Sequence, residues 1–237
     1  MKDIFTLEDI HVTKGDLEIL KGIAWRVPEG RTSVILGPSG SGKTSLLRLL
    51  NRLDEPTSGG IKYGDRPIDA YEVHRLRREV GMVFQRAEFF EGTIRDNLLF
   101  GTEIHKINID IDDILALVTL APDLLDRDVS TLSGGQAQKV SIGRSIAVGP
   151  KVLLLDEPTS GLDPTATVQI ESLVRRLVDT LGITCIFVTH HIEQARRVGD
   201  RAIVIMDGRK VEEGPLPELL TNPRDPRTLR FIRGELT

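Results

Sequence analysis

The chain has 237 residues, 40% of them hydrophobic and 28% charged, which is the composition of a globular protein able to bury a substantial core. Its formal net charge of −4 at pH 7 gives no electrostatic footprint for nucleic acid, and a single cysteine, Cys185, excludes an internal disulfide framework and suits a reducing compartment. No stretch approaches the roughly 18 apolar residues of a membrane span, and Met1-Lys2-Asp3-Ile4-Phe5 lacks a signal-peptide core, so any membrane role is expected to pass through a separate partner.

Residues 3–36 read as the short strands Ile4–Val12, Ile19–Val27 and Thr32–Leu36, punctuated by Lys14-Gly15-Asp16 and Pro28-Glu29-Gly30. The third strand runs into Gly37-Pro38-Ser39-Gly40-Ser41-Gly42-Lys43-Thr44-Ser45, which fits G-x-x-x-x-G-K-[ST]. A triphosphate needs several inward N–H groups on backbone without Cβ obstruction, hence Gly37, Gly40 and Gly42. The helix that follows, marked by Leu46, Leu49, Leu50 and Leu53, presents unpaired N–H groups and a positive dipole end. Lys43 can then reach the β- and γ-phosphates, and the Thr44 hydroxyl can bind Mg²⁺. The spacing predicts a nucleotide phosphate site.

Further on, a strand near Ile61–Tyr63 and the buried-type strand Val80–Phe84, ending at Gln85, precede a change of pattern. From about 86 to 147 helices are predicted: Thr93–Phe100, one marked by Ile111, Ile114, Leu115 and Val118, and one from the Leu132-Ser133-Gly134-Gly135 segment to about Val148. Strands return at Val152–Leu155, Ile183–Thr189 and Ala202–Met206, with Cys185 a small core residue of the second. Between the first two lies an amphipathic helix carrying Ile170, Leu173, Val174, Leu177, Val178 and Leu181 on one stripe. Continuous apolar strands separated by helices indicate an α/β fold with a mostly parallel sheet covered on both faces. Beyond Gly208 a hairpin-like turn and two short proline-flanked helices are expected.

Nucleotide hydrolysis needs an acid to support Mg²⁺ and a second to orient or deprotonate water. Asp-Glu-Pro-Thr-Ser-Gly occurs twice, at Asp54–Gly59 and Asp156–Gly161. The second copy follows the apolar strand Val152–Leu155, whose carboxyl end should open onto the ligand crevice; the first follows a helix and reads as a stop and turn. Asp156 and Glu157 are therefore the predicted working pair. His190 ends another apolar strand, so it should emerge at the same edge. His191 beside it suggests a metal pair, but neighbours on a strand point oppositely, which argues against one.

Leu132-Ser133-Gly134-Gly135-Gln136 resembles the signature of ATP-binding cassette (ABC) transporter ATPases. The order also resembles that family across essentially the whole chain: phosphate loop, Gln85, signature, strand-Asp156-Glu157, Ser160-Gly161-Leu162-Asp163, then His190. The resemblance implies a single ABC ATPase domain over 1–237, with a P-loop NTPase core and N-terminal antiparallel β subdomain in 1–85 and 148–237, and a helical signature subdomain in 86–147. It implies ATP and Mg²⁺ as ligands, with Gly37 to Ser45 around the phosphates and Thr44, Gln85 and Asp156 around the metal. Glu157 would polarise water, His190 contact the γ-phosphate, and Gln85 link metal and water to the permease. Ser133, Gly134, Gly135 and Gln136 would close on ATP held by a second copy, and Asp163 would belong to the loop crossing that interface.

The implied partners are a second copy, separate transmembrane permease subunits and a solute-binding protein, with no nucleic acid, at the cytoplasmic face of the cell membrane. Small segments (Leu50–Leu53, Phe89–Leu98 and Gly135–Gln138) are similar to subunits serving phosphate, other oxyanions or metal ions. The alternative, a relative acting in DNA repair or translation, fits less well. Such relatives carry long coiled-coil insertions or two cassettes, whereas here about 50 residues without sustained heptads separate Gln85 from the signature. One departure stands out. The aromatic residue that the family usually places before a glycine near the N-terminus is replaced by Thr13-Lys14-Gly15, so binding should rest mainly on phosphates.

Overall fold

The computed structural model describes residues 2–236. In chain order, β1 (Asp3–Lys14) and β2 (Leu17–Pro28) form a hairpin, β3 (Thr32–Leu36) leads into the glycine-rich loop, and α1 (Lys43–Leu49) follows it. β4 (Ser58–Tyr63) and β5 (Arg66–Pro67) return to the hairpin and complete an antiparallel sheet of order β2-β1-β4-β5. α2 (Val73–Glu79) precedes β6 (Val80–Val83), and α3 (Ile94–His105), α4 (Ile111–Val118) and α5 (Gly134–Ile146) occupy most of residues 86–147. β7 (Val152–Asp156), α6 (Pro164–Leu181), β8 (Thr184–Thr189), α7 (Ile192–Val198), β9 (Arg201–Met206) and β10 (Arg209–Pro215) follow. The short helices α8 (Leu216–Thr221) and α9 (Pro226–Ile232) come last.

The second sheet has the order β10-β9-β3-β8-β7-β6, parallel throughout except for the β9–β10 hairpin. Alternation along its strands sorts the side chains between two cores. Ile35, Leu154, Ile186, Val188 and Ile203 join Phe5, Ile10, Leu20 and Ile23 of the antiparallel sheet, with Leu46, Leu47 and Leu50 between. Val34, Leu36, Leu153, Leu155, Cys185 and Phe187 face the other way, onto Ile170, Leu173, Val174 and Leu177 of α6. Burial on both faces is why these strands read as unbroken apolar runs.

Ile94, Leu98, Ile114, Leu115, Val118, Val140 and Ile142 belong to that same second core, so α3, α4 and α5 are joined to the sheet by apolar contact rather than tethered beside it. Close approach of α3 and α5 depends on Gly143, where a Cβ would lie 2.7 Å from Leu98 Cδ2. α3 runs five residues past the predicted Phe100, to His105. Leu181 leaves its predicted stripe: it is 47% exposed, because α6 ends there and Gly182 takes the left-handed C-cap conformation at φ 65°.

Strand order determines what shares an edge. The carboxyl ends of β3, β8, β7 and β6 lie side by side, and they lead respectively to the glycine-rich loop, His190, Asp156-Glu157 and Gln85.

Candidate active site

The loop between β3 and α1 is pressed against β9. Gly37 has φ 151°, and a Cβ there would fall 2.0 Å from the Ile205 carbonyl oxygen. Gly42 caps α1 with no side-chain hydrogen bond, and the first turn holds no acidic residue, so the helix opens with N–H groups available to an anion. Lys43 is buried and folds back over the loop, its Nζ donating to the carbonyls of Gly37 (2.9 Å) and Pro38 (2.7 Å). Burial lowers its pKa, opposed by the carboxylates of Glu157 and Asp156. Ser41 is buried with its hydroxyl unpartnered among the described residues, while Ser39, Gly40 and Thr44 are exposed and Pro38 and Ser45 half-buried. An uncapped helix start, an orphaned hydroxyl and an ammonium satisfied only by backbone carbonyls fit a polyphosphate.

Thr44 Oγ1 donates to Asp156 Oδ1 at 2.8 Å, joining the start of α1 to the end of β7. Burial raises the Asp156 pKa, and the Thr44 hydrogen bond works against the rise. Glu157 adopts φ 42°, a left-handed conformation unusual for a side chain of its size. Its N–H donates to the Val188 carbonyl at 3.2 Å, and its Oε1 lies 3.2 Å from His190 Nδ1. Gln85 Nε2 donates to Ser160 Oγ at 3.1 Å, in the turn after Glu157. No group of three or more His, Cys, Asp or Glu residues able to hold a metal occurs among the described residues. One hydroxyl and one carboxylate suit a hard cation only where phosphate oxygens and water complete its shell.

The two histidines correct an expectation. β8 ends at Thr189, so strand alternation does not separate His190 from His191, and their rings lie 4.0 Å apart between centroids. Burial, and then His190 beside it, lower the His191 pKa.

The remaining predicted residues form a second group. Ser133 caps α5 in a reciprocal box with Gln136: Ser133 N–H donates to Gln136 Oε1 at 3.0 Å and Gln136 N–H to Ser133 Oγ at 3.4 Å. Gly135 is required by the close passage of α6, since its Cβ would lie 2.9 Å from Ala166 Cβ. Asp163 caps α6, accepting from Ala166 N–H at 2.9 Å, with Pro164 at the first helical position. Ser133, Gly135, Gln136 and Asp163 line a cleft of about 310 Å³ together with Lys139 and Gln169, and no residue of the glycine-rich loop, Asp156, Glu157 or His190 borders it. No motif marks Lys139 or Gln169, although Lys139 lies one helical turn beyond Gly135 and its position is legible on that ground. Ser160 belongs to the Ser160–Asp163 motif, but its pairing with Gln85 has no counterpart in the sequence pattern.

A phosphate loop after β3, an acidic pair at the end of β7 and a histidine just past β8 define a P-loop nucleotidase, and the serine–glycine helix start narrows the class. Residues 20–160 match the ABC transporter family. The chain is 40% identical over 232 residues to the phosphate import ATP-binding protein PstB 2 of Mycobacterium tuberculosis, covering 91% of this chain and 83% of that one. It is 41% identical over 218 residues to protein STAR1 of Oryza sativa subsp. japonica, covering 91% of this chain but only 63% of the rice protein. The structure of cbiO1 from Clostridium perfringens, part of the ABC transporter complex cbiONQ, superposes with a TM-score of 0.85 at 30% identity over 97% of this chain and 95% of that one. The chain belongs to the ABC transporter family. It is an ATP-binding, ATP-hydrolysing subunit that powers solute transport through a separate permease; no helix among the described residues is long and apolar enough to cross a membrane.

Proposed function

We propose that the two residue groups are the halves of a composite ATP site completed by a second copy of the chain. The carrying observation is the linkage at the sheet edge, where Thr44 meets Asp156 at 2.8 Å and the adjacent Glu157 meets His190 at 3.2 Å. Gly37 to Ser45 wrap the triphosphate, and Lys43 turns from its loop carbonyls to the β- and γ-oxygens. Thr44 and Asp156, with Gln85 nearby, hold Mg²⁺, which when bound neutralises charge developing on the phosphate oxygens. Glu157 accepts a proton from the attacking water as that oxygen bonds to the γ-phosphorus and the bond to ADP breaks. His190 orients Glu157 and contacts the γ-phosphate. Ser133 and Gly135 of the second copy cover the same phosphate from the opposite side, and Asp163 holds the loop between them.

The division into a nucleotide-binding core, residues 1–85 and 148–237, and a signature subdomain, residues 86–147, belongs to this reading. So does docking to permease subunits at the cytoplasmic face of the membrane, with a solute-binding protein delivering the cargo. The likeness to phosphate import proteins supports phosphate as that cargo, ahead of another oxyanion or a metal ion. A sizing column run with ATP and Mg²⁺ tests the composite site. The wild type should elute at twice its monomer mass, and Ser133→Arg should bind nucleotide yet stay monomeric. Unchanged dimerisation of Ser133→Arg would remove the signature from the site.

A further inference from the structure

α6 and α7 each follow a strand of the sheet edge: α6 comes after the turn that Glu157 opens past β7, and α7 begins two residues beyond His190, past β8. α7 is only seven residues long, too short to be stable on its own. Its buried residues are Ala195 and Val198, and His191 at its N-cap makes no side-chain hydrogen bond. Thr189 anchors that end, its hydroxyl donating to Gln194 Oε1 at 2.6 Å and accepting from His191 N–H at 3.0 Å. The other end is held by α6.

Glu171 of α6 is 2% exposed, and both of its oxygens accept from the Arg197 guanidinium, Oε1 from Nη2 at 2.8 Å and Oε2 from Nε. Arg175, four residues on and so on the same face of α6, donates from Nη1 to the Val198 carbonyl at 3.2 Å and to Asp200 Oδ1 at 2.9 Å. The last turn of α7 thus meets one face of α6 through a two-pronged fork and a capped carbonyl. Burying an ion pair adds little to stability, because withdrawing the charges from water offsets their attraction. Two parallel bonds to a planar guanidinium are nevertheless strongly directional. What they fix is the seat of α7, and with it the residue one ahead of its N-cap. That residue is His190, whose Nδ1 lies 3.2 Å from Glu157 Oε1.

We propose that Glu171, acting through Arg197, is a positioning residue for hydrolysis: the fork seats α7 so that His190 stays against Glu157. This role rests on His190 orienting Glu157, as proposed above. Loss of the fork should slow the reaction without weakening ATP binding, since a misplacement of about 1 Å that originates away from the chemistry can cost about 10²-fold.

Two variants of the full chain remove the fork in different ways. Arg197→Lys keeps a charge opposite Glu171 but has no planar pair of donors. Glu171→Leu combined with Arg197→Met replaces both charges with apolar side chains, and its melting temperature should not fall. Both variants should lose about 10- to 100-fold in kcat, with KM for ATP within about twofold of wild type. Added to His190→Ala, Arg197→Lys should cost no more than about twofold further, because the ring it positions is already gone. In the nucleotide-free chain the His190 imidazole resonance, identified by its loss in His190→Ala, should shift in Arg197→Lys. A kcat loss under about threefold in either variant that folds, costs that multiply in the combined variant, or an unmoved His190 resonance overturns the fork as a positioning device. Wild-type turnover in His190→Ala would instead overturn the part given to His190 in the proposed site.

Discussion

The hexapeptide Asp-Glu-Pro-Thr-Ser-Gly has two fates in this molecule. At 54–59 it follows the turn that comes after α1 and runs into β4; at 156–161 it begins as the last residue of β7 and becomes a turn. Asp54 is tied off by two cations on one oxygen, Lys14 Nζ and Arg48 Nε, both at 3.1 Å, and Glu55 pairs with Arg52 at 3.1 Å. Asp156 instead takes a hydroxyl, and Glu157 takes only a histidine and a strained backbone. A carboxylate neutralised by fixed cations has little left to offer a substrate, whereas one held by neutral donors keeps its charge available. A surface cavity of about 450 Å³ lies at the first copy, lined by Arg52, Asp54, Glu55 and Lys62. Its Asp54, Glu55 and Lys62 are already paired, Lys62 with Glu8 at 3.6 Å, so size there does not signal chemistry.

The sharpest way to press this contrast is Glu157→Gln. Steady ATP hydrolysis should fall about 10²–10⁴-fold, the usual loss when a general base is removed, while ATP-bound dimer accumulates on a sizing column. Turnover at the wild-type rate would take Glu157 out of its role and erase the difference between the copies.

Asp156→Asn should separate activity from stability. An amide oxygen can still accept from Thr44, so the fold is kept, but the charge facing the cation is lost. Hydrolysis should drop about 10²-fold, as for removal of one electrostatic group. Burial raises the Asp156 pKa, so ionisation costs folded stability, and that cost grows as pH rises through and above the ordinary carboxylate range. The nucleotide-free variant should therefore melt at the same temperature as wild type or higher at neutral pH. The gap should close below about pH 4, where the carboxyl is protonated in both states. A lower melting temperature at pH 7 would mean that Asp156 holds the fold rather than the ligand.

Much of this edge is legible in sequence because chemistry restricts residue type. Gly37 cannot carry a Cβ against Ile205, Lys43 must be a cation, and the apolar run before Asp156 marks a buried strand whose end opens at the crevice. Other features depend on tertiary placement. The ending of β8 at Thr189, which lets the His190 and His191 rings meet at a tilt, depends on where pairing with β3 and β7 stops. A bulge at Ile19 of β2 is a register shift between two strands, and no single residue announces it. Gln85 meets Ser160 across two loops, from positions 75 residues apart. Leu181 fits the apolar period of α6 and is exposed only because the helix ends under it.

The smallest expected effect belongs to Asp54→Asn, and it decides whether placement or sequence carries the function. The substitution deletes both ion pairs while leaving an oxygen for Arg48. Lys14 and Arg48 are more than a third exposed, so solvent and salt screen the loss. The expected cost is at most about 1 kcal/mol, read as a fall of roughly 2–4 °C in melting temperature that shrinks in about 1 M salt. ATP hydrolysis should stay within about twofold of wild type, the small response usual away from the chemistry. A loss of hydrolysis on the scale of Glu157→Gln would mean that the first copy takes part in the reaction, and that paired cations are no bar to catalytic work. If the fold loosens slightly and hydrolysis holds, then six identical residues are a buttress after a helix and a reaction centre after a buried strand.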